Sequence, residues 1–222
     1  MKSIYVKKLI FPQEPKEALL KQLQSAVFSS EAGEGIRIVD LSKNCISCHF
    51  LYEQVYSQNT YNIETGEFDK IEFKRVDCTP FFIDLDRYTL DIVGSKQQAM
   101  RVIEFFGRTT RYKIGIEDAQ ISLLRLLESC IQSNIAFTIS RVKISDYTFF
   151  DNIIGDCTLN LFDYPKAIDI VKKFEHQITN VTISITLEDT YSIVFYKNGS
   201  IAIYKDADGI DIEVIRLLKQ GL

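Results

Sequence analysis

Three consecutive segments, NVTISITLE, TYSIVFYKN and GSIAIYKD (residues 180–206), alternate apolar and polar side chains with a period of two. A two-residue period puts successive side chains on opposite faces of an extended chain, which a helix cannot reproduce. With turns this short between them, the three segments read as an antiparallel meander. A chain that contains such a unit must supply it with a covering layer of further strands or helices.

Residues 4–11 (IYVKKLIF) read as a strand, and residues 14–30 as a helix with Leu19, Leu20, Leu23, Val27 and Phe28 at helical spacing. SEAGEG ends that helix, and IRIVDL is a further strand. From 45 to 92 the chain is extended, with a hairpin turn in NIETGEFDK at Gly66 and a strand pair in TPFFIDLD and YTLDIVG. Ser95 caps a helix bearing Ala99, Val102, Ile103 and Phe106. RYKIGI is a short strand and Asp118 caps a second helix, DAQISLLRLLESCIQSN. Strands IAFTISRVKIS and CTLNLF, the helix YPKAIDIVKKFEHQ with Pro165 in its first turn, the meander, and a closing helix IDIEVIRLLKQGL complete the chain. The expected class is α+β, largely antiparallel, with about five helices.

A faint internal echo accompanies this pattern. YTLDIVGSKQQAMRVIEFF and CTLNLFDYPKAIDIVKKF both run strand, turn, helix, and Thr89/Thr158, Leu90/Leu159, Ile92/Leu161, Val102/Val171 and Phe105/Phe174 coincide. Duplication of a strand–helix unit is one explanation, and the ordinary look of a meander followed by a helix is the other. Two domain divisions are open: an N-terminal region 1–78 followed by 79–222, or one continuous domain.

At 222 residues, with 46% hydrophobic and 25% charged side chains, the chain can bury a substantial core. Its net charge of −4 gives no support to a globally basic nucleic-acid binder, although a local basic face is compatible with that total. The apolar run Leu9-Ile10-Phe11 is too short for a signal-peptide core, and no run of 18 apolar residues is present. The expectation is a cytoplasmic protein, without a membrane span, whose five cysteines are reduced.

NCISCH (residues 44–49) matches the Cys-x-x-Cys-His spacing of covalent haem attachment. A second axial ligand would have to come from His176, Met100 or Met1. Neighbouring residues favour a strand, in which Cys45 and Cys48 diverge to opposite faces. Ile46 and Ser47 are poor turn formers, and no second Cys-x-x-Cys completes a zinc site. Nor is a helix N-terminus predicted there to lower a thiol pKa. Cys48 should share a face with Ile46 and Phe50, and Cys45 and His49 the other with Ser47 and Leu51. The cysteines are expected to be structural, with no haem, no metal and no other cofactor.

Asp84, Asp86 and Asp91, with Glu72 and Lys74 in IEFK, offer the carboxylates and lysine of a metal-dependent nuclease. The patterns are short, and a solvated strand face looks the same. DADGIDIE resembles a calcium loop, but framing Gly209 as the sixth residue puts Tyr204 and Ile215 where carboxylates belong. Two clusters interleave cations with aromatics: Lys70, Phe73, Lys74 and Arg75, and then Phe105, Phe106, Arg108, Arg111, Tyr112 and Lys113. Such clusters can grip phosphates without reading sequence, and they also occur on solvated strands and helix C-termini.

FFIDLDRYTLDIVGSKQQAMRVIEFF resembles the strand-pair-then-helix segment of the recombination-associated RdgC family, and NVTISITLEDTYSIVFYKNGSIAIYKD is similar to that family's late strand pair. The likeness is one of pattern over about residues 80–208. It implies an α+β, ring-like dimer that binds duplex DNA independently of sequence through basic residues, without catalysis or cofactor. The leading expectation is therefore a non-enzymatic, homodimeric DNA-binding protein associated with recombination or phage defence, using Lys70, Lys74, Arg75, Arg108, Arg111 and Lys113. The alternative is a protein-interaction or immunity-type module that binds no DNA, and the third reading is the nuclease.

Overall fold

The computed structural model describes residues 2–11, 16–42, 44–132, 135–162, 164–186 and 190–204. They form eleven strands and four helices. With 56% of the structure in strands and 21% in helices, the protein is mainly β, which corrects the α+β expectation. The physical reason is length: the strands reach 17 residues, whereas the helices run from 10 to 14. The closing helix and the DADGIDIE turn expected from the sequence lie outside the described residues.

After strand β1 (Lys2–Ile10), helix α1 (Lys16–Ser25) buries Leu19 and Leu23. It stops three turns in, short of the predicted end. Val27 and Phe28 leave the helix because Val27 instead bridges to Ile36 of the next strand and Phe28 N–H donates to Ile36 O at 3.1 Å. Strands β2 (Glu34–Leu41), β3 (Cys45–Tyr61), β4 (Phe68–Asp84) and β5 (Thr89–Val93) follow, then helix α2 (Lys96–Thr109).

The chain divides into two compact units. In the unit Leu9–Ile116, β2, β3, β4 and β5 pair antiparallel in that order. Ile46, Cys48 and Phe50 of β3 and Phe81 and Ile83 of β4 share one buried face, and α2 packs against β4 and β5. Phe105 of α2 meets Phe50 at a ring-centroid distance of 4.9 Å. Ser95 caps α2, as its sequence foretold, and the structure adds a full capping box: its Oγ accepts from Gln98 N–H and its own N–H donates to Gln98 Oε1.

The other unit combines Met1–Lys8 with Glu117–Leu222. Strand β6 (Gly115–Asp118) precedes α3 (Leu123–Gln132), β7 (Ala136–Phe150), β8 (Ile153–Asn160), α4 (Tyr164–Lys173), β9 (Ile178–Thr186), β10 (Thr190–Tyr196) and β11 (Ser200–Tyr204). Here β1 and β11, then β10, β9, β7 and β8, form the sheet order, and β6 also pairs with β1. The meander read from the sequence is β9–β10–β11, with Ile183, Ile193 and Phe195 fully buried. Ser122, not Asp118, caps α3: its Oγ accepts from Arg125 N–H, while Asp118 belongs to β6 and pairs with Lys7.

The internal echo is uneven. Val102 and Val171 are both fully buried on their helices, yet Thr89 and Leu90 are buried where Thr158 and Leu159 are exposed and half-buried. Equivalent strand positions therefore do different work.

Candidate functional site

β3 and β4 pair without interruption from Cys45↔Asp84 to Tyr61↔Phe68, but β2 accompanies β3 only as far as Tyr52, and β5 accompanies β4 only from Phe81. The outer halves, 53–61 and 68–76, thus form a two-stranded arm roughly 30 Å long at about 3.3 Å per residue. Its tip is the turn foreseen at Gly66, which sits at φ +72°. There Asn62 Oδ1 accepts from the N–H groups of Glu64 and Thr65, and its Nδ2 donates to Asp69.

A two-stranded ribbon has no core of its own, so it depends on cross-strand side-chain pairs. Tyr56 stacks on Phe73 at 5.7 Å and Tyr61 meets Phe68 edge-on at 5.2 Å. Lys74 bonds Glu53 at 2.7 Å on one face, where Lys70 also bonds Glu72 at 2.7 Å. Even so, Val55, Tyr61, Ile63, Phe68, Ile71, Phe73 and Val76 remain exposed. Residues 53–76 hold five carboxylates (Glu53, Glu64, Glu67, Asp69, Glu72) against three cations (Lys70, Lys74, Arg75).

The root of the arm carries a polar network on the other face. Arg75 Nε donates to Asp77 Oδ1 at 2.7 Å, its Nη2 donates to the Tyr56 hydroxyl at 2.9 Å, and its guanidinium lies 4.5 Å from the Tyr56 ring centroid. The Tyr56 hydroxyl gives its single proton to Asp77 Oδ2 at 2.7 Å, so toward Gln54 it must accept. That sets the Gln54 amide with its nitrogen donating to Tyr56 at 2.8 Å and its oxygen accepting from Arg101 Nη2 at 2.8 Å. Arg101 also covers the Tyr52 ring at 4.5 Å. The Arg75 hydrogen bond, then that of Tyr56, holds the Asp77 carboxyl below its ordinary range, and the bond to Asp77 pushes the Tyr56 phenol up.

Beside this network lies a cavity of about 440 Å³, bounded by Gly33, Glu34, Tyr52, Glu53, Gln54, Arg101, Glu104 and Arg108 among others. Arg108 bonds Glu34 at 2.8 Å across its rim. Arg101 has no carboxylate within ion-pair distance among the described residues, unlike Arg108.

No protein-family model matches the chain, and no curated protein matches it.

Of the cations picked from the sequence, Lys70, Lys74, Arg75 and Arg108 are each tied to a carboxylate. Arg111 and Lys113 follow α2, exposed, without an ion pair among the described residues. The nuclease set is not brought together: Glu72 and Lys74 are on the arm, while Asp84 ends the same strand twelve residues from Glu72, about 40 Å along an extended chain. Asp86 is not on that strand. It sits in the β4–β5 turn, where Asp84 Oδ1 accepts from the N–H groups of Asp86 and Arg87 and Asn44 donates to Asp86. Among the described residues, no three His, Cys, Asp or Glu converge as metal ligands.

In NCISCH, Cys48 is buried with Ile46 and Phe50, while Cys45, Ser47, His49 and Leu51 occupy the half-buried other face, as the alternation predicts. Burial, then the neighbouring Cys45, pushes the Cys48 thiol up to about 12. Arg101, Gln54, Tyr56 and Asp77 were missed in the sequence. They are separated by up to 47 positions, and only the β3–β4 register and the seating of α2 bring them together. No helix among the described residues is long and apolar enough to cross a membrane.

Proposed function

We propose that this protein is a non-catalytic docking module that engages a protein partner through the arm formed by residues 53–76. One contrast carries this reading: seven apolar or aromatic side chains of the arm are exposed, while each of its three cations is spent on a carboxylate. Exposed aromatics beside neutralised charge suit a protein surface, where large side chains supply the anchoring energy. Phosphate binding needs free positive charge instead. Photo-cross-linking from position 68, compared with the exposed position 131 outside the arm, tests it. A discrete protein adduct from 68 alone is expected; equal yields from both positions, or none from either, would reject the arm.

A second reading keeps sequence-independent DNA binding of the RdgC-like kind, with its association to recombination or phage defence. Arg111, Tyr112 and Lys113 favour it. All three are exposed, and Arg111 and Tyr112 both sit at φ +54°, a costly conformation for residues other than glycine. Mobility shifts over a salt series decide it: affinity must fall steeply with salt, and removing Arg111 or Lys113 should lower the salt slope by about 1. No retardation of duplex or single strands at low salt ends that reading.

A further inference from the structure

The arm has two edges, and they are built differently. Glu53 N–H still donates to Gly33 O at 2.7 Å, but from 54 to 61 strand β3 has only β4 beside it among the described residues. Alternate residues of an antiparallel strand turn both backbone groups away from the partner, so this stretch offers a row of open donors and acceptors. The β4 edge is open too, yet it is guarded by Asp69, Lys70, Glu72, Lys74, Arg75 and Pro80. The β3 edge, QVYSQNTY, holds no charge, proline or glycine across eight residues. Folded proteins ordinarily blunt such edges with charges or proline, and one left plain beside one heavily guarded marks a pairing surface.

We infer that residues 54–60 pair antiparallel with the same residues of a second copy of this chain, giving a four-stranded ribbon with both β3 strands at its centre. This rests on the docking reading above and names the partner. Two-fold antiparallel pairing keeps the same face of both strands on one side, so residue i faces residue j with i + j even. Strand β2 acts as a stop, because it already occupies the β3 edge through Tyr52. In the register that sets Ser57 opposite itself, Gln54 faces Thr60, and Glu53, whose N–H is held by Gly33 O, stays outside the pairing. No two like charges then face each other across the seam.

The test is a charge exchange at the exposed Ser57, read by light scattering on the full chain across a concentration series. The unaltered protein is expected to dimerise, and Ser57→Lys and Ser57→Glu each to self-associate several-fold more weakly. Mixing the two variants in equal amounts should restore the dimer, because Lys then faces Glu. Matching thermal melts by circular dichroism show that both variants fold. A monomer at every concentration, or variants that dimerise like the unaltered chain, overturns the inference. If the chain is monomeric while position 68 still cross-links to a different protein, self-pairing fails and the docking reading stands; if neither occurs, both fail.

Discussion

Arg75 and Asp77, two residues apart on β4 and therefore on the same face, are joined by a 2.7 Å Nε–Oδ1 hydrogen bond at the base of an otherwise solvent-surrounded ribbon. Asp77 is the hub of that base, since it also accepts from Tyr56 at 2.7 Å. The arm leaves the sheet here, so the geometry of everything beyond it depends on this junction.

The junction should respond to acid. The native Asp77 carboxyl is held below its ordinary value of 3.8, first by Arg75. Its stabilising contribution is thus complete above that ordinary value and is lost as pH falls through the depressed native one. Carboxyl-carbon NMR should show Asp77 titrating below the ordinary aspartate value, and Arg75→Ala should move it up. An unmoved Asp77 resonance in that variant would contradict the assigned cause.

Two of the glycines with positive φ, Gly66 and Gly199, should differ sharply in what they tolerate. At Gly66, φ +72°, an added Cβ finds only Tyr61 Oη at 3.9 Å, so Gly66→Ala bears the backbone term of about 1–2 kcal/mol. At Gly199, φ +82°, the Cβ would stand 2.5 Å from Ala119 O and 2.6 Å from Val6 O. Gly199→Ala should cost that term plus a further ~1–3 kcal/mol of overpacking, measured by chemical denaturation.

Truncating the meander core should be among the most damaging changes. Phe195 is fully buried on β10, and Phe195→Ala is expected to cost about 3–5 kcal/mol in denaturant unfolding. Ser95→Ala, which removes the α2 cap, should cost about 1 kcal/mol.

Thiol reactivity should follow burial rather than the Cys-x-x-Cys spacing. Burial raises Cys48 to about 12 and Cys130 to about 11. Both should resist iodoacetamide at neutral pH in the native protein and react once it is unfolded, as peptide mass mapping would show. Rapid native alkylation of Cys48 would mean that the β3 packing is wrong.

Much of the local structure was legible in the residues alone. The alternation Ile46, Cys48, Phe50 fixed which face of β3 is buried, because side-chain direction along a strand is a property of the chain itself. The same holds for the N-cap at Ser95 and for the turn at Gly66, where positive φ is a local demand.

What escaped the sequence was decided by partners far along the chain. Helix α1 ended early because Val27 and Phe28 were drawn to Ile36, and Asp118 was lost as a cap because it sits in β6 beside Lys7. The sequence offered the cations of KIEFKR as a candidate phosphate-binding patch; the fold adds a salt bridge from Lys74 to Glu53, 21 residues away, and sets Tyr56 beside Arg75. Composition and period determine which residues turn inward; whether an outward charge is free or already neutralised depends on which distant strand folds back against it. Only the tertiary structure could tie the arm's cations to carboxylates while leaving its apolar side chains exposed and one edge unguarded.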